Sequence, residues 1–167
     1  MPVKNPKEMF VMVLSHARHG TERSATIYKE LSELAQNSEI QQALAARAFI
    51  SHQTLEKIDE AFKLIGEKPV NVTGRLDDVF VEDFRKELAE IQSPEARRLF
   101  VLAKANHLNH IRTAEYVTLV AAADVSGHYG VGVLLESSLA DHLAFVERTK
   151  RFIRGVIEAK IAARSTA

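Results

Sequence analysis

The side chains best suited to chemistry in this sequence are histidines and acids spaced to share a helix face. His19 and Glu22 lie three residues apart, as do His107 and His110, and on a helix that spacing stacks two side chains on successive turns. Neutral imidazole and carboxylate so placed can share one metal ion, so His19, Glu22, His110 and His142 define a candidate mononuclear zinc or iron site. The opposing reading is that helical histidines sit on rims or donate to a backbone carbonyl or a glutamate. Ser137 and Ser138 beside Asp141 and His142 are the residue types of a nucleophile and its base. No strained elbow or oxyanion-hole signature accompanies them, which argues against acyl transfer. The absence of cysteine excludes disulfides, thiolate metal sites and thiol nucleophiles.

The elements that must position these groups are helices. Asn5-Pro6-Lys7-Glu8 is a helix start: Asn5 can accept from the free N–H groups of the first turn, Pro6 sits where no N–H is needed, and Glu8 holds the capping-box position. Phe10, Leu14, Ala17, Ala25, Tyr28, Leu31 and Ala35 follow at mostly three- and four-residue intervals, a helical period. After a short turn at Gln36 to Ser38, Ser38 with Gln41 forms a second capping box. The stripe Ile40, Leu44, Ala48, Leu55, Ile58, Phe62 and Ile65 then ends at Gly66, a left-handed C-cap. From Glu67 to Gln92 the pattern breaks at Pro69, Asn71 and Gly74, then resumes as a shorter amphipathic piece around Val79 to Ile91. Ser93-Pro94-Glu95 opens a third long helix with Leu99, Leu102, Ala103, Tyr116, Val120 and Ala123 on its stripe and Gly127 beyond its end. The fourth, loosened at its start by Gly130 and Gly132, carries Val131, Leu135, Leu139, Val146, Ile153, Val156 and Ile157 into a basic, Ala-rich tail expected to fray.

Two short-turn hairpins joined by one long connection predict an all-α, antiparallel four-helix bundle of the ferritin-like type. Its crossover contains a short extra helix, and residues 1–167 form a single domain. Polar residues interrupt each stripe near its middle: Thr21 and Glu22, Ser51, then Asn106, Asn109, His110 and Thr113, and finally His142. Such interruptions can meet in one layer. In ferritin-like bundles that layer holds two iron or manganese ions on a Glu from each of two helices and a Glu-x-x-His from each of the others. No Glu here is followed three residues later by His, and only Glu22, with Asp141 beside the fourth stripe, offers a carboxylate. Two divalent ions would be left short of negative charge, so a standard di-metal site is not expected.

Glu60-Ala61-Phe62-Lys63-Leu64-Ile65-Gly66, then His110 with Glu115-Tyr116-Val117-Thr118-Leu119 and Gly127, and Leu134-Leu135-Glu136-Ser137-Ser138-Leu139 resemble the YciE/YciF-like ferritin-like family over most of the chain. The resemblance implies a dimeric four-helix bundle of unknown biochemical role, associated with bacterial stress responses, with a di-metal site in many members. Carried across, the family's first-helix glutamate falls on Glu22, and the second-helix His and Glu fall on Arg47 and Ile50. The third-helix Glu-His-x-Glu falls on Asn109, His110, Ile111 and Arg112, and the fourth-helix Glu falls on His142. The resemblance therefore implies a degenerate metal site. An arginine can itself supply the charge of a missing cation, so the expectation is a buried polar layer of Glu22, Arg47, Asn109, Arg112 and His142, with Glu22 paired to Arg112 or Arg47.

Lys plus Arg (22) equals Asp plus Glu (22), so no net field favours nucleic acid or an anionic membrane. The N-terminal residues lack the features of a signal peptide, and no stretch reaches the roughly 18 apolar residues of a bilayer span; a cytoplasmic location is expected. The run Arg148, Lys150, Arg151 and Arg154 reads as a solvated face, while Phe152, Ile153, Val156 and Ile157 read as either bundle core or dimer contact. The residues predict a non-catalytic structural or interaction protein with no cofactor and no identifiable small-molecule substrate, and the resemblance implies that it is stress-associated and homodimeric. The alternative is a metal-binding protein or oxidoreductase using iron, manganese or zinc on Glu22, His110, His142 and His19.

Overall fold

The computed structural model describes residues 3–165, with side chains described through Ile161. These form five helices: α1 (Pro6–Leu34), α2 (Ser38–Leu64), α3 (Leu76–Glu90), α4 (Pro94–Val125) and α5 (Tyr129–Ser165). Local chemistry sets most of the ends. Asn5 Oδ1 accepts from the Glu8 N–H at 2.9 Å, with Pro6 in the first turn, and the Ser93 hydroxyl accepts from the Ala96 N–H. Gly66 (φ 68°) and Gly127 (φ 74°) adopt the left-handed conformation that ends α2 and α4. Beyond them, Glu67 N–H returns to the Phe62 carbonyl and His128 N–H to that of Ala123.

Four details differ from the sequence reading. The cap of α2 is Asn37, whose side chain accepts from Ile40 N–H, so Ser38 is the first helical residue. Helix α3 begins three residues before Val79, which brings Asp77 into its first turn. Ala103 and Ile157 are exposed, lying one helical step off the apolar stripes. The tail expected to fray is helical through Ser165.

Pairings between helices define the topology. Between α1 and α4, Phe10 stacks near His128, Thr21 meets Tyr116 and Tyr28 reaches the Ala105 carbonyl, so the two run antiparallel. Between α2 and α5, Lys57 meets Ser137 and Arg47 meets His142, again antiparallel. Helices α2 and α4 therefore point the same way, and the connection between them must return along the bundle. Helix α3 makes that return in the groove between α1 and α4. It runs parallel to α1, through Arg23 with Asp78 and Glu30 with Arg85, and antiparallel to α4, through Asp77 with Arg112 and Glu87 with Lys104. Its apolar face, Val81, Phe84 and Leu88, is buried against them.

The interior is two apolar clusters, not one. Towards one end lie Ile27, Leu31, Leu44, Phe84, Leu102, Leu108 and Phe145; towards the other lie Phe10, Leu14, Ile58, Phe62, Leu119 and Leu135. Each fully buried side chain of this size contributes about 1.5–3 kcal/mol. Between the clusters every long helix contributes buried polar residues: Thr21 and Ser24 from α1, Ser51 and Thr54 from α2, Asn109 and Arg112 from α4, Ser138 and His142 from α5. Among the described residues no helix is long and apolar enough to cross a membrane.

Candidate functional site

Asn109 and Arg112 share one face of α4, three residues apart, and that face points inward. Both are buried, Arg112 to 2 % exposure. Its guanidinium passes directly over Gly20 of α1, where an added Cβ would sit 1.6 Å from Nη1. From there Nη2 donates to Asp77 of α3, and Nη1 donates to the Glu115 carboxylate at 2.9 and 3.0 Å. Asp77 lies in the first turn of α3, where the helix dipole also favours an anion. Burial pushes the Glu115 carboxyl above the usual carboxylate range, and Arg112 opposes that push. The buried cation thus reaches across α1 to a carboxylate on the crossover helix.

Arg47 of α2 is equally buried, at 2 % exposure, but among the described residues no carboxylate pairs with it. Its guanidinium packs against the rings of Tyr28 and Phe145 at 5.5 and 5.6 Å, and Nη2 lies against the His142 imidazole. Asn109 orients the histidine. Its Nδ2 donates to the His142 carbonyl at 2.9 Å, which turns Oδ1 towards the imidazole Nδ1, also at 2.9 Å. Arg47 Nη2 lies 2.6 Å from the same Nδ1 and 3.1 Å from Nε2, so Arg47 and Asn109 converge on one edge of the ring. Desolvation, with the charges of Arg47 and Arg112, pushes the His142 pKa down to about 2. The imidazole is neutral at ordinary pH and both its nitrogens are engaged.

The rest of the layer is equally ill suited to proton transfer. Burial pushes Tyr28 up to about 12 despite Arg47, and it raises Tyr116, which shares a 2.9 Å hydrogen bond with Thr21. The hydroxyls of Ser137 and Ser138 both donate to the Leu134 carbonyl, the bond typical of helical serine, so they do not form a nucleophile with His142.

The metal candidates from the sequence are not brought together. Glu22, expected in the buried layer, is exposed: its side chain retains 60 % of its accessible surface and faces Arg18 at 3.9 Å, one turn earlier. The inward position belongs to Thr21, and successive helical residues lie about 100° apart. The same geometry puts His110 outside, between inward Asn109 and Arg112. His19 is half-buried, and Asp141 turns outward to Lys57 at 3.7 Å. Among the described residues, no three His, Asp or Glu side chains are grouped so as to hold a metal. Asp77 and Gly20 were not singled out in the sequence. The first fell in the broken crossover pattern; the second shows its role only once Arg112 lies over it.

Residues 5–162 match the profile of a family described as a domain of unknown function, DUF892. The chain belongs to that family. Protein YciF of Escherichia coli strain K12 is 24 % identical over 148 residues, covering 86 % of this chain and 87 % of YciF. The crystal structure of that E. coli stress protein superposes with a TM-score of 0.87 at 20 % identity, covering 93 % of this chain and 99 % of the other. YcfI of Rhodopseudomonas palustris, for which a structural role has been suggested, gives 0.84 at 21 % identity, covering 89 % and 94 %. A Xanthomonas campestris protein gives 0.76 at 16 % identity, covering 96 % and 99 %. The YciE/YciF-like resemblance and the helical bundle are thereby established. The di-metal centre that the ferritin-like resemblance implies does not fit the side chains present. Arg47 and Arg112 bring two guanidiniums into the layer, and the carboxylates that meet Arg112, Asp77 and Glu115, are already engaged by it.

Proposed function

We propose that this chain is a non-catalytic, stress-associated structural or interaction protein of ferritin-like descent, in which a network of arginine ion pairs stands where a metal centre would otherwise cross-link the helices. One observation carries the reading: Arg112, buried over Gly20, is bound by Asp77 and Glu115. A cation held covalently on α4 does the cross-linking task of a metal without needing to be loaded, and it would repel a divalent ion from the same layer. The neutral, fully engaged His142 and the protonated tyrosines support a non-catalytic role. Metal analysis of the full chain purified without chelator tests this directly: less than about 0.1 equivalent of iron, manganese or zinc is expected. One or two equivalents would overturn it.

A cytoplasmic homodimer completes the proposal. Large apolar side chains remain exposed where α2 ends and α5 begins, with Leu64, Tyr129 and Val133 at 56, 70 and 67 % exposure. A second copy covering them would remove that surface from water. Light scattering should give the dimer mass, and Tyr129→Glu should shift it towards the monomer.

A further inference from the structure

Two glycines inside the long helices have a reason within the chain. Gly20 makes way for Arg112, and a Cβ at Gly132 would sit 2.6 Å from the Asp124 carboxylate. Gly155 has none: a Cβ there meets nothing within 4 Å, although the residue lies well inside α5. Glycine in a helix interior costs about 1 kcal/mol relative to alanine. A bare stretch of backbone in such a place suits the close approach of something outside the chain.

Gly155 opens onto a cleft of about 910 Å³ at the end of the bundle, walled by the starts of α2 and α4 and by the second half of α5. Pockets of roughly 300–1,000 Å³ are the usual size for small ligands. Ile40, Phe152, Val156 and Ala159 supply apolar lining beside Gly155. The charges are unbalanced, with Arg98, Arg148, Arg151 and Lys160 against Glu39 and Glu95. Glu95 is already held by Ser93 at 2.8 Å and faces Arg98 at 3.5 Å. Arg148 lies over the Phe152 ring at 5.6 Å. Arg151 and Lys160 feel Glu147 and Glu95 only at longer range, without a direct ion pair to either among the described residues.

We propose that this cleft binds a single-chain anionic amphiphile, with its alkyl chain against Gly155 and the apolar lining and its phosphate or carboxylate head at Arg98, Arg151 and Lys160. A bare anion would leave the apolar lining wet, and an uncharged chain would leave the excess of positive charge in the lining uncompensated. A molecule with both parts satisfies both. Concave walls from three helices favour a compact ligand over a partner helix, which needs a longer open face.

Calorimetric titration of the full chain with dodecyl phosphate, below its micelle concentration, tests the proposal. The expected result is one-to-one binding at least about tenfold tighter than inorganic phosphate or dodecyl maltoside. Gly155→Leu places a side chain in open space and improves helix propensity, so it should fold with an undiminished melting temperature and weaken binding by about tenfold or more. The double variant Arg151→Glu, Lys160→Glu should do the same. No binding to the parent chain, or unchanged affinity in either variant, overturns the proposal; so does capture by anionic vesicles that Gly155→Leu leaves intact, since that would assign the charge to a membrane-facing surface instead.

Discussion

Arg47 and Arg112 are buried to the same 2 % in neighbouring parts of one bundle, yet they are held by opposite means. Arg112 is surrounded by charge: two carboxylates from two elements meet one guanidinium. Arg47 is surrounded by neutral groups, with two aromatic rings, an imidazole held unprotonated and an asparagine that orients it. Two of its donor atoms, Nε and Nη1, are buried with no hydrogen-bond partner, whereas Arg112 leaves only Nε so. A four-helix interior can therefore hold a cation by compensation or by polarisable, weakly basic neighbours. The first solution ties the crossover to the bundle; the second ties α2 to α5.

The largest effect should come from taking the charge away from the compensated side. Asp77→Ala leaves Arg112 buried with one anchor lost and should destabilise by about 3–5 kcal/mol in urea unfolding; a loss below about 1 kcal/mol would mean the crossover contributes no compensation. Gly20→Ala sharpens the same point, because its Cβ would strike the guanidinium. Overpacking should outweigh the gain in helix propensity and cost about 2 kcal/mol, and a stabilised variant would show Arg112 free to move aside.

On the uncompensated side the signature is pH. His142 has its folded pKa lowered to about 2 from an ordinary 6.5, so below about 6.5 the unfolded chain binds a proton that the folded chain refuses. Its contribution is complete above that value and lost as pH falls, at up to about 1.4 kcal/mol per unit. Glu115, raised by burial, works in the opposite sense as its folded form takes up a proton first. His142→Gln should flatten the dependence between pH 6.5 and 4.5; an unchanged slope would place the acid sensitivity elsewhere. The smallest effect belongs to Glu22→Ala, below about 0.5 kcal/mol, as expected of an exposed pair with Arg18. A cost of several kcal/mol would restore Glu22 to the interior.

What the sequence made legible was largely periodic or local. Capping residues at Asn5 and Ser93, terminal glycines at 66 and 127, and apolar stripes fix where helices begin, end and face, because each depends on neighbours within one or two turns. The inward pair Asn109 and Arg112 followed from the resemblance and agrees with the face that also carries Tyr116. Glu22 failed by one residue: Ala17, Thr21, Ser24 and Tyr28 trace the buried line of α1, and a step of about 100° separates a layer residue from a surface one. Asp77 was illegible for another reason. An acid at the start of a short helix has an ordinary explanation in the dipole, and its real partner lies 35 residues away in sequence.

The meeting of Gly20, Arg112 and Asp77 also acts as an index mark for assembly. If α1 slid past α4 by one turn, about 5.4 Å, Ala17 or Ser24 would come opposite the guanidinium and block its passage to α3. Docking of the two hairpins is thereby restricted to one alignment, and the crossover can seat its acid only after that alignment is reached.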